Sequence, residues 1–137
     1  MNLIETKPLV FTAQSKRNFF MRMLICKYVF EHGKIPLNPF NSFGYFLYEL
    51  VDRDFIRNAN NNLIARCDEV WFFGDIADGC VFEIEYAMKL KKKIAFYKMD
   101  STYQSIQPCR VDDLTFENEI TTDIEELKQK IKAYQEF

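Results

Sequence analysis

Apolar positions fall in short runs that alternate with longer helical stretches. Leu9-Val10-Phe11-Thr12-Ala13 follows Pro8 and predicts a buried strand. A polar turn, Gln14-Ser15-Lys16-Arg17, leads into a helix over 18–32 that Gly33 stops. That helix is apolar on most sides, with Phe19, Phe20, Met23, Ile25, Tyr28 and Phe30 among its residues. Such a helix is buried all round, or buried on one side and placed in an interface on the other. A second strand is predicted over 34–37, and Asn38-Pro39 ends it. A loop over 39–42 leads to a helical stretch over 43–65, with a break expected near Asn58-Ala59-Asn60-Asn61-Asn62. Asp68-Glu69-Val70-Trp71-Phe72-Phe73 is the clearest strand, followed by a loop over 74–79 and a helix over 80–91. A fourth strand covers 93–99, a loop 100–108, and an edge strand 111–116. The last helix opens on a capping box, Thr122-Asp123-Ile124-Glu125, and keeps Ile124, Leu127, Ile131 and Tyr134 at helical spacing.

Alternation of this kind predicts an α/β fold. The expected form is a single three-layer, doubly wound domain over 1–137, flavodoxin/Rossmann-like, with a mostly parallel sheet of four or five strands. Ligands in such sheets bind beyond the carboxyl ends of the strands. That rule selects the loops at 13–17, 38–42 and 74–83.

Composition narrows the function classes. At 137 residues there is room for one core and no second module. The net charge of −2 argues against a partner made of nucleic-acid polymer, but not against a small anion. The single His32 removes most metal sites, and its place before Gly33 suits a helix cap; no metal and no cofactor are expected. Cys26, Cys67, Cys80 and Cys109 form no C-x-x-C pair and are read as reduced thiols of a cytoplasmic protein. Residues 1–8 carry Glu5 and lack the apolar core of a signal peptide; no segment is long and apolar enough for a membrane. The 14 Phe, 7 Tyr and 1 Trp are many for one small domain, so some rings are expected to face a ligand or a second subunit.

The loop after the third strand carries the candidate chemistry. Asp75, Asp78 and Glu83 place three carboxylates around a helix start, where backbone N–H groups favour an anion. Glu83, in or near the first turn, is expected to be ionised and can act as a nucleophile; a desolvated Asp75 or Asp78 can donate a proton. The plainer alternative makes Glu83 a helix cap paired with Cys80, and Asp75 and Asp78 turn residues.

The same residues resemble the nucleoside 2-deoxyribosyltransferase-like superfamily, in particular its small, poorly characterised branch. Cys67-Asp68-Glu69-Val70-Trp71-Phe72-Phe73-Gly74 looks like its cysteine-aspartate-hydrophobic strand ending in glycine. Gly79, Glu83, Tyr86 and Ala87 match its glycine, three residues, glutamate, then tyrosine-alanine. The resemblance covers about residues 8–98. It implies that Glu83 attacks the anomeric carbon of a nucleoside or nucleoside 5′-monophosphate, and that the glycosyl group passes to another base or to water. It also implies a homodimer or higher homo-oligomer. This chain departs from the pattern at Phe11, where the family often has a tyrosine, at Ala77, where transferases often have an aspartate, and at Cys80, where a hydroxyl residue is common. Those departures favour the alternative of a non-catalytic nucleotide-binding or sensor domain. Ser15, Lys16 and Arg17 suit a phosphate, or form a solvated turn. Asn38, Phe40, Phe43 and Tyr45, with Phe11, Gly79 and Cys80, are the remaining candidates for substrate binding.

Overall fold

The structure is a computed structural model that describes residues 1–44 and 46–136. Five strands form one sheet: β1 (Leu9–Gln14), β2 (Ile35–Leu37), β3 (Glu69–Phe73), β4 (Lys93–Asp100) and β5 (Ser105–Pro108), in the order β2-β1-β3-β4-β5. The first four are parallel and β5 runs antiparallel on the edge. Five helices pack around the sheet: α1 (Arg22–Glu31), α2 (Pro39–Phe43), α3 (Arg53–Arg66), α4 (Asp78–Lys89) and α5 (Ile124–Gln135).

The strands are apolar on both faces because both faces are covered. Phe11, Val70, Phe72, Ile94 and Phe96 share one core with Ile64 of α3, Ile84 of α4, and Leu127 and Ile131 of α5. Val10, Trp71 and Phe73 point the other way and pack on Met21, Ile25 and Val29. The result is the three-layer, doubly wound architecture expected from the alternation. Trp71 is a core residue, its Nε1 donating to Glu69. Lys34 closes a 2.8 Å ion pair on that buried carboxylate. All four cysteines are free. Among the described residues no helix is long and apolar enough to cross a membrane.

Local structure corrects the sequence reading in five places. The first helix opens as a 3-10 turn over Lys16–Met21, kinked at Asn18 (φ −104°, ψ 20°). Gln14 Nε2 donates to the Asn18 carbonyl, and the Arg22 N–H turns to Phe19 O instead. The expected loop after β2 is the short helix α2, because Asn38 Oδ1 accepts from Phe40 N and Pro39 is preset for a first turn. The long helical stretch breaks at Asp52, which caps α3 through Asp54 N, and not at the asparagines. Asn62 Nδ2 bonds the Asn58 carbonyl, so α3 runs through them unbroken. The expected loop after β4 contains β5, whose Pro108 is tolerable because it sits at the end of an edge strand. Where an edge strand was expected over 111–116, there is a 3-10 turn, Val111–Asp113, and a single bridge from Phe116 to Ile76.

Candidate functional site

The strand order places a switch point between β1 and β3: the chain leaves β1 toward β2 and returns to β3 on the other side. A cleft opens there, at the carboxyl ends of the strands. A cavity of about 700 Å³ fills it, with walls from the end of β1 and its loop, from α2 and α3, from the start of α4, and from 117–120.

On the α4 side the cavity is lined by Ala77, Asp78, Gly79, Cys80, Phe82 and Glu83. The helix begins at Asp78, two residues earlier than its sequence suggests, so Glu83 stands in the second turn. Two expectations change with it. Ala77 is the N-cap and makes no side-chain cap bond, so Glu83 and Cys80 do not form a cap. Nor is the Glu83 carboxyl favoured as an anion by first-turn N–H groups. Burial dominates and raises it to about 8. No hydrogen bond or ion pair to Glu83 is found among the described residues. Cys80 is buried beside it, and burial first, then the Glu83 charge, holds the thiol far above its ordinary range. It is a protonated, inert wall residue. Gly79 leaves open space where a Cβ would stand.

On the β1 side lie Gln14, Ser15, Lys16 and Arg17. Ser15 is only 2% exposed. Its hydroxyl accepts from Arg17 N and donates to Glu117 Oε2 at 2.7 Å. Arg17 is paired with Glu119 and lies 3.7 Å from Glu117. Its guanidinium is held above its ordinary pKa, by the Glu119 hydrogen bond first and then by the Glu117 charge. Phe40 of α2 lines the cavity and meets Phe19 edge-on at 5.1 Å.

The sequence reading missed the α3 wall and the late acidic segment. Arg57, Asn60 and Asn61 line the cavity from α3. Asn60 Oδ1 is buried and lacks a hydrogen-bond partner. The run of asparagines was visible in the sequence but read as a helix break. Glu117 and Glu119 lie about a hundred residues from Ser15, and no local pattern connects them.

Other expected site residues stand elsewhere. Phe11 is fully buried in the core. Asn38 is buried behind the wall, where its Nδ2 donates to Gln14 Oε1 at 2.9 Å and so orients Gln14. Phe43 does not line the cavity. Asp75 accepts from Thr115 and borders a separate cavity of about 260 Å³. The turn before it needs Gly74: φ is +79°, and a Cβ would meet Asn18 Nδ2 at 2.8 Å. Tyr45 lies outside the described residues. Among the described residues no group of three His, Cys, Asp or Glu side chains is placed to hold a metal.

A family model described as a domain of unknown function, DUF7768, matches residues 9–97. The chain belongs to this family. The matched region contains β1 through β3, the first part of β4 and the whole α4 wall, but stops before the acidic segment. No curated protein matches this DUF7768 chain. Solved structures share its fold. The CMP N-glycosidase BcmB of Clostridium botulinum is 18% identical, with a TM-score of 0.50 over 92% of this chain and 98% of that one. The 2-deoxyribosyltransferase of Bacillus psychrosaccharolyticus is 15% identical, with a TM-score of 0.52 over 88% and 90%. That of Leishmania mexicana is 19% identical, with a TM-score of 0.51 over 85% and 88%.

Proposed function

We propose that this DUF7768 chain cleaves or transfers the N-glycosidic bond of a nucleoside or nucleoside 5′-monophosphate, with Glu83 as the nucleophile. The observation that carries the reading is the unpartnered Glu83 carboxyl in the wall of a cavity at the β1/β3 switch point. A half-buried acid that no protein group satisfies is held for a ligand. The orphan Asn60 Oδ1 supports this, since a ligand N–H or O–H would satisfy it. The structural neighbours, by their names, act on CMP or transfer 2-deoxyribosyl groups, and they support the same reaction class.

In the step that follows, ionised Glu83 attacks the anomeric carbon. The C–N bond breaks and its electron pair leaves with the base. Asp78, exposed on the same helix and in the same wall, relays a solvent proton to the departing base. Water or a second base then attacks the glycosyl-enzyme at the same carbon, loses a proton to solvent, and frees Glu83 as the carboxylate. Chromatography of a nucleoside and monophosphate panel tests the reading: free base should appear with the wild type and vanish with Glu83→Gln.

One observation favours a second reading. With Glu83 raised to about 8, most of the resting protein at neutral pH carries a protonated acid there. A neutral carboxyl can bind a base without attacking a sugar, as in a non-catalytic nucleotide sensor. A nucleoside that raises the melting temperature with no base released, on wild type at pH 9, selects this reading. Assembly belongs to the proposal too. Phe20, Met23 and Phe30 are 63%, 64% and 60% exposed along the first helical segment, and the aromatic helix is expected to meet a second copy. Light scattering at micromolar concentration should give at least a dimer mass.

A further inference from the structure

The Ser15-Lys16-Arg17 turn has the composition of a phosphate cradle, but the Ser15 hydroxyl and the Arg17 guanidinium are already engaged. Ser15 spends its one hydroxyl hydrogen on Glu117, and its oxygen accepts from Arg17 N. Arg17 is neutralised by Glu119 and faces Glu117 as well. Glu117 is not a loose surface acid. Its side chain is 12% exposed, and its backbone N–H donates to the Ile76 carbonyl at 3.0 Å, which fastens the segment to the loop after β3. The bridge between Phe116 and Ile76 holds the same segment from one residue earlier. Around the cavity, apart from Glu83, the ionisable acids and bases are Lys16, Arg17 and Arg57 against Asp78, Glu117 and Glu119. The cations do not outnumber the anions, and the best-placed cation already has two carboxylates. A phosphate carries up to two negative charges, so binding at this turn would require it to displace Glu117 or lie against it.

We propose that Glu117 is a specificity-determining residue that closes the cationic turn to phosphate, so that the cavity takes uncharged nucleosides in preference to nucleoside 5′-monophosphates. This rests on the N-glycosidic reading for the identity of the ligand and sharpens it to one substrate class. A neutral sugar end costs the carboxylate nothing, and a sugar hydroxyl can donate to the Glu117 lone pairs that Ser15 leaves open. Glu119 assists by holding Arg17. Like-charge juxtaposition is the repulsive element that separates two ligands alike in base and sugar.

The test measures binding by calorimetry in a Glu83→Gln background, so that turnover does not interfere, using each common nucleoside and its 5′-monophosphate. Wild type at 117 and 119 should prefer the nucleoside about tenfold or more. Glu117→Gln combined with Glu119→Gln should cut that preference at least tenfold by strengthening monophosphate binding; a tenfold change corresponds to about 1.4 kcal/mol. Glutamine keeps an acceptor for Ser15, and circular dichroism confirms the fold. If the double variant does not fold, Glu117→Gln alone carries the test. As a second readout, inorganic phosphate should raise the melting temperature of the double variant and leave the parent unmoved. Tighter monophosphate binding by the parent, an unchanged ratio in the variants, or no binding of either ligand class overturns the proposal. Failure of the parent reading looks different: nucleosides bind with the predicted preference, but wild-type Glu83 protein releases no base.

Discussion

On the β1 side of the cavity, Ser15, Arg17, Glu117 and Glu119 satisfy one another, and every bond among them comes from this chain. On the facing walls, among the described residues, Glu83 has no hydrogen-bond or ion-pair partner and Asn60 Oδ1 is an orphan. Both sides are rich in polar groups, so composition does not distinguish them. Satisfaction does. A closed network spends its polar groups on structure, whereas a polar group left unpaired in a half-buried wall is costly unless something else meets it. On the proposed reading, the 15–17 turn and its acidic partners hold the cleft together and select against phosphate, while Glu83 and Asn60 are left to contact the ligand.

The largest expected effect falls on the unpaired side. Glu83→Gln should lower kcat/KM for base release by about a thousandfold or more, read by initial rates under single-substrate conditions. A residual rate within tenfold of wild type would break the comparison. The same group sets a pH dependence. Only ionised Glu83 attacks, so kcat/KM should rise with pH through about 8. Stability runs in the opposite direction. The folded-state pKa lies above the ordinary 4.5, so the contribution of Glu83 is fully present below about 4.5 and is lost as pH rises through about 8. Glu83→Gln, uncharged throughout, should therefore gain several degrees in melting temperature over wild type at pH 8 and almost none at pH 4.

Asn60→Leu comes next. Removing an orphan acceptor should weaken nucleoside binding about tenfold by titration calorimetry while leaving the melting temperature equal or higher. A fall in stability without a loss of binding would show that Asn60 serves the helix. The satisfied side should behave in the reverse way. Ser15→Ala removes two hydrogen bonds and should cost about 1–2 kcal/mol in chemical denaturation. The smallest contrast lies between two aspartates. Asp78→Asn should lower kcat by about a hundredfold if it donates the proton, and Asp75→Asn, whose partner is Thr115 outside the cavity, by less than threefold.

Much of the fold is legible from local pattern. The runs around Val10, Val70 and Ile94 are apolar on both faces, which only a covered parallel sheet accommodates. The spacing from Gly79 to Glu83 likewise placed Glu83 on the helix after β3. The errors have a common cause. Gln14, Asn38 and Asp52 bend, cap or start helices through side-chain bonds to nearby backbone, and such bonds compete with propensity at a distance of two to four residues. β5 was missed because a short edge strand has only one face to hide and shows no clear alternation.

The site was legible only in halves. By itself the sequence determined the layer architecture, the position of Glu83 on α4, and the three loops that frame the cleft. Each depends on periodicity or on neighbours within a few residues, which are properties of the chain. Only the tertiary structure decided that Phe11 and Asn38 lie behind the wall, that Asp75 faces another cavity, and that α3 supplies Asn60. It alone brought Glu117 and Glu119 to Ser15 and Arg17, and it alone gave Glu83 the burial that raises its pKa. Desolvation and ion pairing depend on what surrounds a group in space, and about a hundred residues of chain separate Ser15 from the carboxylate that occupies it.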